Sequence, residues 1–221
     1  DDIFERVGRA GVFNRYESIP GAYFEYTYKD GQKWSVIPGI RADLHNNYGV
    51  FITPRLHAKY NFSDKSIFRV SAGRGLRTAS IFSENLGLFS SSREVVINQV
   101  NDENPYGLEP EIAWNYGINY TQAFHISERE LIVSFDAYRT TFENQIIVDY
   151  ETAGSVSFYN LEGESFSNSI QLKLEYPILE NFDVRVAYRM FDVQTTYGES
   201  LLDKPLVSKH RAFINMAYKT D

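Results

Sequence analysis

The sequence predicts an all-β fold: an antiparallel, up-and-down transmembrane β-barrel wall of about nine strands. Three observations predict it. Nine short stretches alternate apolar with polar residues, the period that puts residues i and i+2 on one face of a strand. The connections between them alternate short and long. Aromatic residues gather where the stretches end, as amphipathic rings do at lipid–water interfaces. A wall that is greasy toward lipid and polar toward a lumen joins all three. Alternation alone also fits a soluble sheet, so the loop asymmetry carries the most weight.

The first stretch runs from Ala22 to Lys29, with Phe24 and Tyr26 opposing Glu25 and Thr27, and Asp30-Gly31 supplies a tight hairpin. The second, Trp34 to Leu44, sets Val36, Ile40 and Leu44 against Ser35, Arg41 and Asp43. Pro38 lies inside it and cannot donate to a ladder, which predicts a bulge there. The third, Val50 to Phe62, opposes Ile52, Leu56 and Ala58 to Arg55, His57 and Lys59; the fourth is Ile67 to Arg74. Regular alternation then stops until Ile112, where the fifth stretch runs to Phe124 and a turn near Ser127 leads into the sixth, Leu131 to Phe142. A second long break precedes the seventh (Phe166 to Tyr176), which turns through Pro177–Asn181 into the eighth (Phe182 to Val193). After a third break comes the ninth, His210 to Tyr218. Connections after stretches one, three, five and seven are short and those after four, six and eight are long; the one after the second is the exception. The rim aromatics expected below are Tyr26, Tyr28, Trp34, Tyr60 and Tyr218, and those above are Tyr48, Phe51, Trp114 and Phe142.

Composition narrows the function classes. The 43% apolar content excludes a disordered chain. No apolar run approaches the length of a spanning helix, whereas a barrel strand crosses with only about 9–11 tilted residues. A net charge of -7 argues against nucleic acid, which requires a clustered basic face. Zero cysteines removes disulfides, thiolate metal sites and cysteine nucleophiles together. The start, Asp1-Asp2-Ile3-Phe4-Glu5-Arg6, has neither the basic nor the apolar part of a signal peptide, so the chain reads as a mature or internal segment.

Candidate chemistry is sparse. His45, His57, His125 and His210 have no helical i, i+4 pair and no cysteine to join them as metal ligands. No Gly-x-Ser-x-Gly elbow marks an activated serine. Asn101-Asp102-Glu103-Asn104 lacks the alternating ligands and central glycine of an EF-hand, and Gly73-Arg74-Gly75 is followed by no phosphate-cradling lysine. No catalytic residue, metal or cofactor is expected. The inward charges are more informative: Arg41, Asp43, Arg55, Lys59, Lys173, Glu175 and Arg185 should face a lumen, opposite Phe24, Ile40, Leu56, Leu172 and Val186. The break from 76 to 111 is the longest, and loops of that length are uncommon unless functional. Its Arg77, Phe82, Phe89 and Arg93 are the candidate ligand-facing residues, suited to a partly aromatic, anionic ligand.

Four passages resemble a known family. They are Thr53-Pro54-Arg55-Leu56 with Ala58-Lys59-Tyr60; Phe68-Arg69-Val70-Ser71-Ala72-Gly73-Arg74-Gly75-Leu76-Arg77; Asn104-Pro105 with Leu108-Glu109-Pro110-Glu111 and Trp114-Asn115-Tyr116-Gly117; and Phe158-Tyr159-Asn160-Leu161-Glu162-Gly163 through Glu175-Tyr176. In order and spacing they are similar to the barrel of TonB-dependent outer-membrane receptors, in a form like those of the Bacteroidetes. Thr78-Ala79 departs from the usual Ala-Pro pair. The resemblance implies part of a 22-stranded barrel, with the plug domain and closing strands absent. Residues 1–20 would form an external loop, 21–75 the first four strands, 76–111 a long external loop and 112–221 the last five strands. It further implies a Gram-negative outer membrane and TonB-energised uptake of a scarce nutrient: an iron chelate, haem, cobalamin or an oligosaccharide. The expected partners are outer-membrane lipid, TonB through the missing plug, and that ligand, with no enzymatic step. A soluble secreted carbohydrate-binding β-module is the alternative, and an outer-membrane barrel enzyme the third reading.

Overall fold

The computed structural model describes residues 2–6, 9–13, 16–101 and 103–220. Among them, sixteen strands occur in chain order: β1 (Asp2–Arg6), β2 (Arg9–Phe13), β3 (Gly21–Glu25), β4 (Tyr28–Asp30), β5 (Trp34–His45), β6 (Gly49–Ser63), β7 (Ser66–Arg77), β8 (Glu94–Ile97), β9 (Glu111–Ile126), β10 (Arg129–Asn144), β11 (Ile146–Asp149), β12 (Ser155–Asn160), β13 (Ser165–Leu179), β14 (Phe182–Tyr197), β15 (Ser200–Asp203) and β16 (His210–Tyr218). Two single-turn helices, α1 (Ile81–Glu84) and α2 (Leu86–Phe89), lie between β7 and β8. Within residues 1–20, β1 and β2 pair only with each other.

Nine wall strands, with β3 and β4 sharing one position, form a single antiparallel sheet that is not closed. Sequential pairing follows from the short turns, which allow only antiparallel neighbours. Two-to-three-residue turns join β4 to β5, β6 to β7, β9 to β10 and β13 to β14 at one end, with a short β5–β6 turn opposite. The long connections all leave from that opposite end, as the loop asymmetry predicts.

Directly paired residues share a face, so the register fixes the orientation of every wall side chain. Lys29 opposes Ser35, Ser35 opposes Lys59, and Gly39 opposes Arg55. Following the ladders from strand to strand places Arg41, Asp43, Arg55, Lys59, Lys173, Glu175 and Arg185 on one face. Phe24, Ile40, Leu56, Leu172 and Val186 lie on the other. The two sets never mix within a strand.

Neither face of the wall builds a core. The apolar face leaves Ile52, Val70, Ile118, Phe135 and Leu172 exposed by 36–50%, more contiguous apolar surface than a soluble monomer tolerates. Near the loop-bearing end that face turns polar. Arg139 Nη1 donates to Asn168 Oδ1 at 3.1 Å, and Asn168 Nδ2 donates to Asp192 Oδ2 at 3.1 Å, across three adjacent strands. The wall strands therefore extend past their own apolar band.

Two expectations are corrected here. Pro38 causes no bulge: Pro38 pairs in register with Leu56, and β3 and β4 keep a common register against β5 on its other side. Tyr26 N–H still donates to the Pro38 carbonyl at 3.0 Å, so the ladder lacks only the donor that proline does not have. Among the upper-rim aromatics, Trp114 lies on the apolar face, but Phe51 and Phe142 pair with Asp43 and Ala113 on the polar one. Phe51 is buried instead against His45, its ring centroid 6.2 Å away. The lower group, Tyr26, Tyr28, Trp34, Tyr60 and Tyr218, is on the apolar face as expected.

Candidate functional site

The buried core of this molecule lies in its loops. Connections 78–110 and 145–164 fold together into a cap at one end of the wall. Short apolar runs drive it: Glu94–Ile97, Ile146–Asp149 and Ser155–Asn160 form a three-stranded sheet in the order β11-β12-β8. The β8–β12 pairing is parallel, Val95 opposite Val156 and Ile97 opposite Phe158, and a parallel pair needs a long connection between its strands. Ile81, Tyr106, Leu108, Val156 and Phe158 are buried together, and Phe82, Leu88 and Phe89 pack against them. The Phe89 and Phe158 rings stack at 5.7 Å.

Polar side chains hold the cap to the wall. Arg77, at the end of β7, reaches Glu111 at the start of β9 at 2.6 Å and Glu84 of α1 at 3.0 Å, closing the base of the first loop. Asn160 accepts from Glu109 N–H at 2.9 Å and donates to Glu109 O at 3.0 Å, joining the two loops. Gly163 sits at φ +124, where a Cβ would meet the Thr196 side chain at 2.7 Å, and glycine is the residue that tolerates both. Tyr159 donates its hydroxyl to Asp149 Oδ2 at 2.9 Å and accepts from Gly198 N–H at 3.3 Å. Burial, then the adjacent Asp149, pushes the Tyr159 phenol up to about 12.

The four loop residues singled out from sequence divide in two. Phe82 and Phe89 line the cap's own core, and Arg77 is the ion-paired strut just described. Arg93 is different: its guanidinium carbon lies 6.0 Å from the Tyr150 ring centre, beside a cleft of about 600 Å³ between the cap and the upper end of β14. Ile146, Tyr150, Tyr197, Lys204 and Leu206 are among the residues that line it. Sequence reasoning missed Tyr150, Tyr197 and Lys204, which come from two loops and the end of β14 and meet only when the cap is folded. The runs Val95-Val96-Ile97 and Ile146-Ile147-Val148 were the available signal.

On the polar face the expected charges form pairs. Arg41 meets Asp43 at 2.7 Å and Arg55 meets Glu25 at 2.6 Å. Lys173 and Arg185 both reach Glu175, at 2.5 and 2.7 Å. Among the described residues Lys59 has no such ion pair. His57 also lies on this face, opposite Ile37 and Ser71. Among the described residues no cluster of His, Asp or Glu could hold a metal ion, and no helix is long and apolar enough to cross a membrane, a test that does not bear on strands.

Comparison with known proteins agrees with this architecture. The family described as "TonB dependent receptor-like, beta-barrel" matches residues 4–221. Among solved structures, a mutant of the ferric enterobactin receptor PfeA of Pseudomonas aeruginosa superposes with a TM-score of 0.58 at 14% identity, over 78% of this chain and 26% of that one. The siderophore receptor PirA of the same organism gives 0.54 at 13% identity, over 91% and 37%. The siderophore receptor PiuA of Acinetobacter baumannii gives 0.58 at 16%, over 90% and 31%. The chain thus spans roughly a quarter to a third of the solved structures it resembles. No curated protein sequence matches it.

Proposed function

The chain belongs to the TonB-dependent receptor-like β-barrel family, and from that premise we propose that it is the ligand-capturing part of an outer-membrane receptor for TonB-energised uptake of a scarce nutrient. Its place is the outer membrane of a Gram-negative bacterium. The observation that carries the reading is the separation of Arg41, Asp43, Arg55, Lys59, Lys173, Glu175 and Arg185 from Phe24, Ile40, Leu56, Leu172 and Val186 onto opposite faces of a sheet with no core of its own. In water such an apolar face is a liability. In lipid it is the outer wall, and the paired charges on the other face line the lumen.

The long connections lie on the external side, and the cap they form presents the Arg93–Tyr150 cleft to the ligand. An iron chelate, haem, cobalamin or an oligosaccharide is the class of nutrient. The barrel performs no bond chemistry. Transport energy enters through a plug domain that contacts TonB, elsewhere in the full-length protein. Open edges are excluded from lipid because their unpaired backbone groups have no water to bond, so β3 and β16 pair with further wall strands in the complete barrel.

The test is deletion of residues 82–97 in the full-length receptor, followed by outer-membrane fractionation and nutrient-limited growth. Uptake should be lost, while the heat-modifiable band of a folded barrel remains. Unimpaired uptake would remove the cap from ligand capture. Absence of the protein from the outer-membrane fraction would sink the reading as a whole.

A further inference from the structure

The cap cleft brings together two cations and no anion. Arg93 precedes β8 and Lys204 follows β15, and both line the cleft of about 600 Å³ at the end of β14. No aspartate or glutamate is among its lining residues. Among the described residues, neither cation has a carboxylate within ion-pair distance. Their neighbours differ: Arg77, at the base of the first loop, reaches Glu111 at 2.6 Å, and Lys209, in the loop of Lys204, reaches Asp203 at 2.7 Å. Asp149 stands between Val148 and Tyr150 of the lining but is already engaged. Its two carboxylate oxygens accept from the Tyr159 hydroxyl and from Glu151 N–H, both at 2.9 Å. Glu151 is exposed and does not line the cleft.

The rest of the lining supplies rings and a donor. The Arg93 guanidinium lies 6.0 Å from the Tyr150 ring centre, so an aromatic face holds this cation where an acid would otherwise do so. A hydroxyl relay behind the cleft sets the polarity of Gln145. Ser165 Oγ donates to Gln145 Oε1 at 2.7 Å, so the Thr195 hydroxyl, 2.9 Å from Ser165 Oγ, is the donor to that oxygen. With its carbonyl engaged, Gln145 has its Nε2 left as a donor. Asn85 presents an acceptor instead, since its Nδ2 donates to the Ile81 carbonyl at 2.9 Å. That is one neutral oxygen against two cations. The site also stands at the level of the external loops. Thr195 and Tyr197 lie beyond Asp192, where the outer face of β14 has already turned polar.

We propose that this cleft selects a ring-bearing acid, a solute whose carboxylate is carried on a flat aryl or sugar ring. Arg93 offers a planar fork suited to two oxygens, and Lys204 a compact second charge. Tyr150 and Tyr197 give the ring flat faces to lie against, with Ile146 and Leu206 as further apolar surface. The volume suits a small solute. A neutral solute would displace water from two cations and return no charge to them, and that selects against it. The inference rests on the cap being the ligand-capturing part, as proposed above, and narrows it to one chemical class.

The test is calorimetric titration of the full-length receptor in detergent at low ionic strength. The probes are salicylate and D-glucuronate, beside their uncharged counterparts salicyl alcohol and D-glucose. At least one acid should bind saturably, weaken as salt is added, and bind about ten-fold or more tighter than its counterpart. Arg93→Gln/Lys204→Gln should remove that advantage, since two charged hydrogen-bond donors are lost. Lys65→Gln, in the β6–β7 turn at the other end of the wall, should bind like the wild type. Salicylate binding alone assigns an aryl acid, and glucuronate binding alone an acidic sugar. If the double variant does not assemble, each single variant should lose about three-fold or more. No saturable binding of either acid, equal binding of acid and counterpart, or variants that bind like the wild type overturns the site. Uptake by the receptor lacking residues 82–97 is read in parallel. Lost uptake there, with an acid affinity that Arg93 and Lys204 do not govern, removes this chemistry and keeps the capture reading; unimpaired uptake removes the capture reading itself.

Discussion

Replacing Phe158 with alanine should unfold the cap and leave the wall standing. Phe158 is 0% exposed, stacks on Phe89 and sits at the centre of the five-residue core. Truncating a fully buried phenylalanine to alanine costs about 3–5 kcal/mol, part lost transfer energy and part cavity. The unit that must absorb this is small: β8 and β11 have four residues each and β12 six. Three strands are close to the minimum for independent stability, and local units open at a fraction of the global free energy. A loss of that size therefore exceeds what the cap retains. The wall is spared because β12 pairs only with β8 and β11. Hydrogen exchange on the full-length receptor in detergent checks this. Amides of 94–98, 146–149 and 155–160 should lose protection while those of β10 and β13 keep theirs. Undiminished protection in the cap, or simultaneous loss in the wall, would refute the reasoning.

Three further outcomes are expected. Leu172→Arg places a cation on the apolar face and should cost about 2–4 kcal/mol in bilayer refolding, whereas Gln171→Arg, one residue away on the polar face, should cost far less; equal urea midpoints would contradict the face assignment. Pro38→Ala supplies the missing ladder donor opposite Tyr26, worth about 0.5–1.5 kcal/mol, while the freer unfolded chain takes back about 0.4–1 kcal/mol. Stability should hardly move, but the new amide should be protected from exchange, and free exchange of the backbone amide at that position would disprove the continuous register. Finally, the Tyr159 phenol titrates at about 12, so its neutral form is favoured by folding. Its contribution to cap stability is fully present below the ordinary tyrosine value of about 10 and is lost as pH rises toward 12. Phenolate absorbance should show this tyrosine ionising late, and less late in Asp149→Asn, with burial still holding it above the exposed tyrosines; a titration indistinguishable from theirs would count against the buried hydroxyl.

The wall was legible because its code is local. Parity assigns Lys173 and Leu172 to opposite faces without knowing which strands are neighbours, and short turns then fix the neighbours. Parity also limits what a rim aromatic can be: Phe51 and Phe142 end strands as expected, yet odd–even position turns them inward. Pro38 shows the other limit, since its effect depends on which side of β5 its nitrogen faces, a fact of topology rather than sequence. The cap was illegible for a similar reason. Val95 and Val156 are sixty-one positions apart and meet in parallel, so neither alternation nor a turn announces the pairing. Phe82 and Phe89 looked like ligand groups because an aromatic in an apparent loop has no visible partner until Tyr106 and Phe158 are folded against it. Arg93 and Lys204 share a cleft only because three loops converge.

The parallel β8–β12 pair has a consequence for how this chain can vary. Surface loops vary more than the elements they connect, and a loop that folds alone can be exchanged alone. Here the stretch between β7 and β9 lends a strand to the stretch between β10 and β13, and Asn160 of one is bonded twice to Glu109 of the other. A transplant carrying only the first would strip β12 of one neighbour and expose Val156 and Phe158. The heritable module is the two segments together, although the sequence separates them by the whole β9–β10 hairpin. A chimera that moves both should keep its cap folded on a foreign wall, and one that moves either should not.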